Sequence, residues 1–131
     1  MTIKKLNQYR SIRREIAEIN IQLEKTNAHE SVVGSDKEYP YTQHVMSVNG
    51  VIHSRETAIL MRRLRECLRC KEMAEAFIYG IEDSITRRIF ILRYIDGEIR
   101  PSWVRVAHMI GGGNTTESIR QAVSRYMKNN S

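Results

Sequence analysis

An all-α fold is predicted: an N-terminal helical hairpin or coiled-coil arm, followed by a three-helix unit whose last two helices form a helix-turn-helix. Three observations predict it. Apolar residues recur three and four apart over residues 9–23 and again over 57–81, the seam spacing of helices packed on one another. Two shorter apolar stripes, at 103–110 and 119–126, flank a run of three glycines. The residues around these stripes are helix caps and breakers, namely Asp96-Gly97, Pro101-Ser102 and Asn114. With 131 residues, 41% hydrophobic and 27% charged, the chain has the make-up of a folded domain with a core of useful size.

The first helix is expected over residues 3–23, where Tyr9, Ile12, Ile16, Ile19 and Leu23 form the seam. Two heptads are too few to stand alone, so this helix needs a partner. The matching stretch lies between Ser54 and Gly80, where Thr57, Leu60, Leu64, Cys67, Lys71, Ala74, Ile78 and Ile81 keep the same alternation, with Lys71 its one polar flaw. An antiparallel hairpin within one chain is favoured over pairing with a second subunit. Ile59, Met61 and Leu68 are left over for formation of a homo-oligomer. Between the two helices, residues 28–53 read as a long loop: Gly34, Ser35 and Asp36 break the helix, Tyr39-Pro40-Tyr41 favours an extended turn, and Asn49-Gly50 between β-branched residues signals a small β-hairpin from about Thr42 to His53. Its expected role is packing or linking. The hairpin and loop make one predicted unit, 1–82, and residues 83–131 the other.

In the second unit, Ile81, Ile85, Ile89 and Leu92 stack on one face of a helix running to about Ile95, and Asp96-Gly97 ends it. Ser102 caps the next helix, 103–110, with Trp103, Val106, Ala107 and Ile110 facing inward. Gly111-Gly112-Gly113 form a tight connection. Asn114 and Glu117 read as a capping box opening the last helix, 115–128. On that helix Ile119, Val123 and Tyr126 form one stripe, with Ala122 and Met127 at its edges. Opposite them stand Glu117, Gln121, Ser124 and Lys128, flanked by Arg120 and Arg125. Such side chains suit base edges and phosphates.

The runs TRRIFILRYIDG, SWVRVAHMIG and ESIRQAVSRYMK resemble region 4 of bacterial sigma factors, over about the last third of the chain. The combination of LRYIDG, SWVRVA, IGGGNT and IRQAVSRY is similar to small phage late-gene activators of the RinA and ArpU type, over most of it. Those resemblances imply a DNA-reading last helix, a promoter as target and RNA polymerase as a second partner. They place Glu117 and Gln121 at base-contacting positions, and Arg120 nearer the DNA backbone or the polymerase. Two departures stand out: Thr116 occupies a position where an arginine often sits, and the glycine run lengthens the turn.

From the residue chemistry, the expected base-reading set is Thr116, Glu117, Arg120, Gln121 and Ser124. Glu117 can accept from a cytosine amino group and Gln121 can pair with adenine. Arg105, Asn114, Thr115, Arg125 and Lys128 are expected to hold phosphates. The formal charge of +6 favours a polyanionic partner. It is unevenly spread: residues 1–82 carry 13 Lys and Arg against 11 Asp and Glu, and residues 83–131 carry 8 against 4. Arg62, Arg63, Arg65 and Arg69 read first as a solvated helix face and second as a DNA contact.

Other chemistries find no foothold. Cys67 and Cys70 have the spacing of zinc or redox sites, but no second ligand pair accompanies them and His29, His44, His53 and His108 are scattered, so they read as helix cysteines. No nucleophile elbow, zinc-protease helix or phosphate-binding loop with its lysine is present, and neither an enzyme nor a cofactor is expected. No apolar run approaches the ~20 residues that span a bilayer, and the N-terminus lacks the apolar core of a secretion signal, so a cytoplasmic location without membrane contact is expected. Competing readings are a sigma-like adaptor acting mainly through RNA polymerase, a ring-forming DNA-packaging subunit of the small-terminase kind, and a plain helical interaction protein.

Overall fold

The computed structural model describes the backbone of residues 1–35 and 39–130, and the side chains of 1–26 and 55–130. It is all-helical, with no strand among the described residues. In chain order the elements are α1 (Ile3–Asn7), α2 (Tyr9–Ser35), α3 (Tyr39–Tyr79), α4 (Ser84–Phe90), a π-helical turn (Ile91–Ile95), α5 (Trp103–Ile110) and α6 (Thr116–Asn129). Contacts group these into two compact units, residues 14–68 and residues 1–13 with 69–131. This grouping differs from a cut at residue 82, because α1 and the two ends of the arm helices share the core of the C-terminal helices.

The expected first helix is present as two pieces. Thr2 caps α1 by accepting from the Lys5 N–H at 3.2 Å, and at Gln8 the chain makes one tighter turn, its N–H reaching the Lys5 carbonyl at 3.1 Å, before α2 begins. Helix α2 runs on to Ser35, and residues 28–35 and 39–53 are helical, so the long loop expected over 28–53 is not observed among its described residues. The β-hairpin expected over residues 42–53 is not formed: the backbone there is helical, part of α3. An isolated two-stranded hairpin is marginal in water, whereas a helix already nucleated gains one hydrogen bond for each residue it adds. Pro40 is compatible with this, since proline is tolerated in a helix's first turn, where its missing N–H has no partner to lose.

Within residues 14–68 the seam positions are the less exposed ones, as their spacing predicts, though most are only half-buried. Ile19 and Cys67 are buried, while Ile16, Leu23, Thr57, Leu60 and Leu64 are half-buried. An ion pair of 3.0 Å joins Arg63 to Glu15. Ile21, Ile59, Met61 and Leu68 stay exposed.

The second unit holds the main core, in which Leu6 and Tyr9 join Ala74 and Ile78 of α3, Ile89, Phe90 and Tyr94 of α4 and the π turn, Val106 of α5, and Ile119, Val123 and Met127 of α6. Its hub is aromatic. The ring of Phe90 lies 5.4 Å from that of Tyr126, 5.7 Å from Tyr94 and 6.4 Å from Phe77, mostly edge-to-face, the arrangement that ring quadrupoles favour. The expected stripe on the first short helix needs correction here. Ile81 and Ile89 are buried, but Ile85 is 47% exposed. Asp83, whose carboxylate accepts from the Thr86 N–H at 2.9 Å, caps α4 between Ile81 and Ile85, so these two residues do not share a helix and need not share a face.

The π turn is closed by an Asp96 N–H to Ile91 carbonyl bond of 2.8 Å and leaves a cluster of outward carbonyls at its end. Arg10, only 9% exposed, satisfies them: its guanidinium donates to the carbonyls of Arg93 at 2.9 Å, Asp96 at 2.6 Å, Gly97 at 3.3 Å and Leu92 at 3.4 Å. Arg13 adds bonds to Ile95 and Gly97 at 3.2 and 2.7 Å. Burial lowers the Arg10 pKa, with the charges of Arg13 and Arg93 acting in the same direction. Positive charge at a helix C-terminus also opposes the negative end of the helix dipole.

The polar flaw in the seam, Lys71, has a partner. Its ammonium lies 3.1 Å from Glu75, and the Tyr9 hydroxyl donates to the same carboxylate at 2.6 Å. Burial, followed by the hydrogen bond to Glu75, pushes the Tyr9 pKa up to about 12. For Glu75, burial pushes the carboxyl up, but the bonds from Tyr9 and Lys71 and the charge of Lys71 outweigh it and hold the pKa below the usual range. The signs follow by linkage. The raised Tyr9 pKa confers stability that is fully present below the unfolded tyrosine value and is lost as pH rises from ~10 toward 12. The lowered Glu75 pKa confers stability that is present above the unfolded carboxylate value and is lost as pH falls through the folded one. Denaturant midpoints measured against pH should therefore decline at both ends, and Tyr9→Phe should flatten the alkaline limb; an unaltered alkaline limb in that variant would show that another group governs it.

Candidate nucleic-acid interface

Helices α5 and α6 present the predicted site. Ser102 caps α5, its hydroxyl accepting from the Arg105 N–H at 3.2 Å, and Val106 and Ala107 anchor the helix in the core. Arg93 holds the approach to α5: its guanidinium lies 4.0 Å from the centre of the Trp103 ring and donates to the Pro101 carbonyl. The chain then turns through Gly111, Gly112 and Gly113 with φ of 68°, 65° and 78°, a conformation that side chains with a Cβ rarely adopt.

The cap of α6 differs from the predicted one. Asn114 closes the glycine turn instead, its side-chain amide donating to the Gly111 carbonyl at 2.8 Å and its N–H to the same carbonyl at 3.2 Å. Thr115 is the cap: its hydroxyl accepts from the Ser118 N–H at 3.1 Å, and the Ser118 hydroxyl accepts from the Thr115 N–H at 2.9 Å. The reciprocal pair is thus Thr115 and Ser118, one residue on from Asn114 and with serine in place of the usual Glu or Gln. Glu117 is consequently not held in a cap and points to solvent.

Ile119, Val123 and Met127 of α6 are buried and Ala122 and Tyr126 half-buried, so the helix sits on the core by its predicted stripe. The opposite side gathers Glu117, Arg120, Gln121, Ser124 and Arg125 around one shallow, open depression. All five are exposed, and Gln121 donates to the Glu117 carboxylate at 3.4 Å. Among the described residues Arg120 and Arg125 have no ion-pair partner. Lys128 is exposed in the last turn of α6, and Arg105 is exposed on α5. Thr116 is half-buried in the first turn. The structure therefore gathers four of the predicted base-reading side chains and Arg125. Thr116, Asn114 and Thr115 lie at the helix start, where Asn114 and Thr115 already have internal partners.

Cys67 lies in the seam and Cys70 faces solvent, and among the described residues no three His, Cys, Asp or Glu side chains gather to hold a metal ion. No helix among the described residues is long and apolar enough to cross a membrane. Sequence reasoning missed the supports of this surface, Arg10, Arg13 and Arg93. Their partners lie 82 to 87 residues away for Arg10 and Arg13, and no local pattern marks them. The Thr115–Ser118 cap did carry a local signal, the spacing of two hydroxyl residues three apart. Compared with protein families, curated proteins and solved structures, the chain matches none.

Proposed function

We propose that this chain is a sequence-specific double-stranded DNA-binding regulator of transcription. In this reading α5 and α6 are the two helices of a helix-turn-helix, and α6 enters the major groove. The observation that carries the reading is the division of α6 into a buried apolar stripe and an opposite face of exposed Glu117, Arg120, Gln121, Ser124 and Arg125. A helix buried against a partner would not need five hydrogen-bonding side chains around one depression, whereas base edges require them. The exposed cations Arg120, Arg125 and Lys128 outnumber the one carboxylate, Glu117, which favours a phosphate-lined groove. Resemblance to phage late-gene activators and to sigma region 4 makes a promoter the target and RNA polymerase a second partner. The exposed apolar residues of the arm, Ile59, Met61 and Leu68, supply a surface for a homo-oligomer.

Gln121 and Glu117 read bases in this mechanism, Arg120 and Ser124 reach nearby bases or phosphates, and Arg105, Arg125 and Lys128 hold the backbone. Selection from a random duplex library at near-physiological salt, with and without RNA polymerase, tests the reading. Enrichment of one motif by the chain alone supports it, enrichment only with polymerase supports the adaptor mode, and no enrichment in either condition overturns it. On the enriched site, Gln121→Ala should cost about 1 to 3 kcal/mol and relax preference at one base pair, while Lys128→Ala should weaken every duplex alike. Equal losses on selected and random duplexes from Gln121→Ala would remove Gln121 from base reading.

A further inference from the structure

The arm carries a row of arginines that the α6 interface does not use. Arg55, Arg62 and Arg65 are exposed on α3, on the side away from the half-buried Thr57, Leu60 and Leu64. Helix geometry puts Arg55 and Arg62 about 10 Å apart on nearly one line, with Arg65 about 5 Å further along. Among the described residues none of the three has an ion-pair partner, although Glu66 stands four residues from Arg62. Arg63, on the flank, is the one that pairs, with Glu15.

An ordinary solvated helix face mixes signs and uses i,i+4 pairs. The α2 side of this unit fits that description, with Arg14 and Lys25 against Glu15, Glu18 and Glu24 over residues 14–25. On α3, residues 55–66 carry four cations against two acids, and all four cations are arginine. For solubility, lysine would serve as well. The planar guanidinium is the group that matches phosphate with two parallel hydrogen bonds. Ile59 and Met61, the exposed large apolar side chains of this stretch, lie on opposite flanks of the arginine row and leave its centre to the guanidinium groups.

We infer that Arg55, Arg62 and Arg65 form a second, sequence-independent contact with the phosphate backbone of duplex DNA. The inference rests on the proposed function, since a duplex must already be the ligand. It predicts that binding has two separable parts, with sequence read by α6 and salt-dependent affinity supplied in part by the arm.

The test is a titration of the full chain on two 30-base-pair duplexes, one carrying the selected site and one of random sequence, from ~0.05 to ~0.2 M salt. Each phosphate contact contributes a slope of about −0.9 in log K against log salt. The triple variant Arg55→Gln, Arg62→Gln, Arg65→Gln should lose two to three such contacts, make the slope shallower by roughly that number, and weaken both duplexes on the order of 100-fold at ~0.1 M while leaving site preference unchanged. Glu66→Lys, on the same helix, should act in the opposite direction and steepen the slope by about one. A triple variant of normal helix content with the parent slope overturns the inference. If that variant does not fold, Glu66→Lys decides alone, and a parent slope overturns it equally. Loss of site preference in Gln121→Ala upholds the α6 reading whichever way the arm result falls, whereas failure of the parent chain to bind either duplex overturns both.

Discussion

Arg10→Ala is expected to destabilise the C-terminal unit by about 3 kcal/mol, more than any other change of a charged residue in this chain. The guanidinium is nearly buried and donates to four carbonyls at the end of the π turn. Removing it takes the guanidinium donor from the part-buried carbonyls of Leu92, Arg93 and Asp96, while Gly97 keeps Arg13, and it removes the charge that opposes the helix dipole there. Arg13 shares two of the same segment's carbonyls but is more exposed, so Arg13→Ala should cost about 1 kcal/mol. Arg10→Lys should fall between the two, because an ammonium retains the charge but cannot span four acceptors with a planar fork. Urea denaturation followed by the fluorescence of Trp103, the chain's single tryptophan, measures this unit directly. Equal losses from the Arg10 and Arg13 variants would show that the four-carbonyl clamp does not hold the π turn.

Phe90→Ala should cost about 4 kcal/mol, the larger of the two effects. Phe90 is fully buried and touches rings from α3, the π turn and α6. The loss combines transfer of a large apolar side chain, the cavity left behind, and edge-to-face contacts worth about 0.5 to 1.5 kcal/mol each. Against a typical domain stability of about 5 to 15 kcal/mol, this removes a large share. Phe90→Leu should keep most of the volume and cost about 1 to 2 kcal/mol. Its functional consequence separates support from recognition. On the proposed function, a Phe90 variant should lose DNA affinity only through its unfolded fraction, so cooling toward the stability maximum should restore it, while the Gln121→Ala defect should persist at every temperature at which the chain is folded. A Phe90→Ala chain with the parent denaturation midpoint would show that the aromatic hub does not stabilise the core.

Helix α5 was legible residue by residue, because its start and its stripe are local: Ser102 caps it, and Trp103, Val106, Ala107 and Ile110 follow within two turns. The two faces of α6 were legible for the same reason, since a period of 3.6 residues separates Ile119, Val123 and Tyr126 from Glu117, Gln121 and Ser124 whatever the rest of the chain does, although Met127, at the edge of that stripe, is the more deeply buried of the last pair. The cap of α6 was read one residue early, because Asn114 has the right chemistry for a cap and only the geometry of the glycine turn directs its amide to Gly111. Asn49-Gly50 misled in another way, as its hairpin preference is weak beside the growth of an established helix.

By itself, then, the sequence determined the all-helical class, both halves of the arm seam and the outward face of α6. Caps, breakers and periodicity act across a few residues, so their energies are decided within the segment that carries them. Only the tertiary structure decided that Arg10 clamps a turn more than 80 residues away, that Leu6 and Tyr9 belong to the core beneath α5 and α6, and that Ile85 is left outside it. Contacts of that sequence separation depend on which faces come together when the helices pack, and a pattern repeated every three or four residues does not specify that choice.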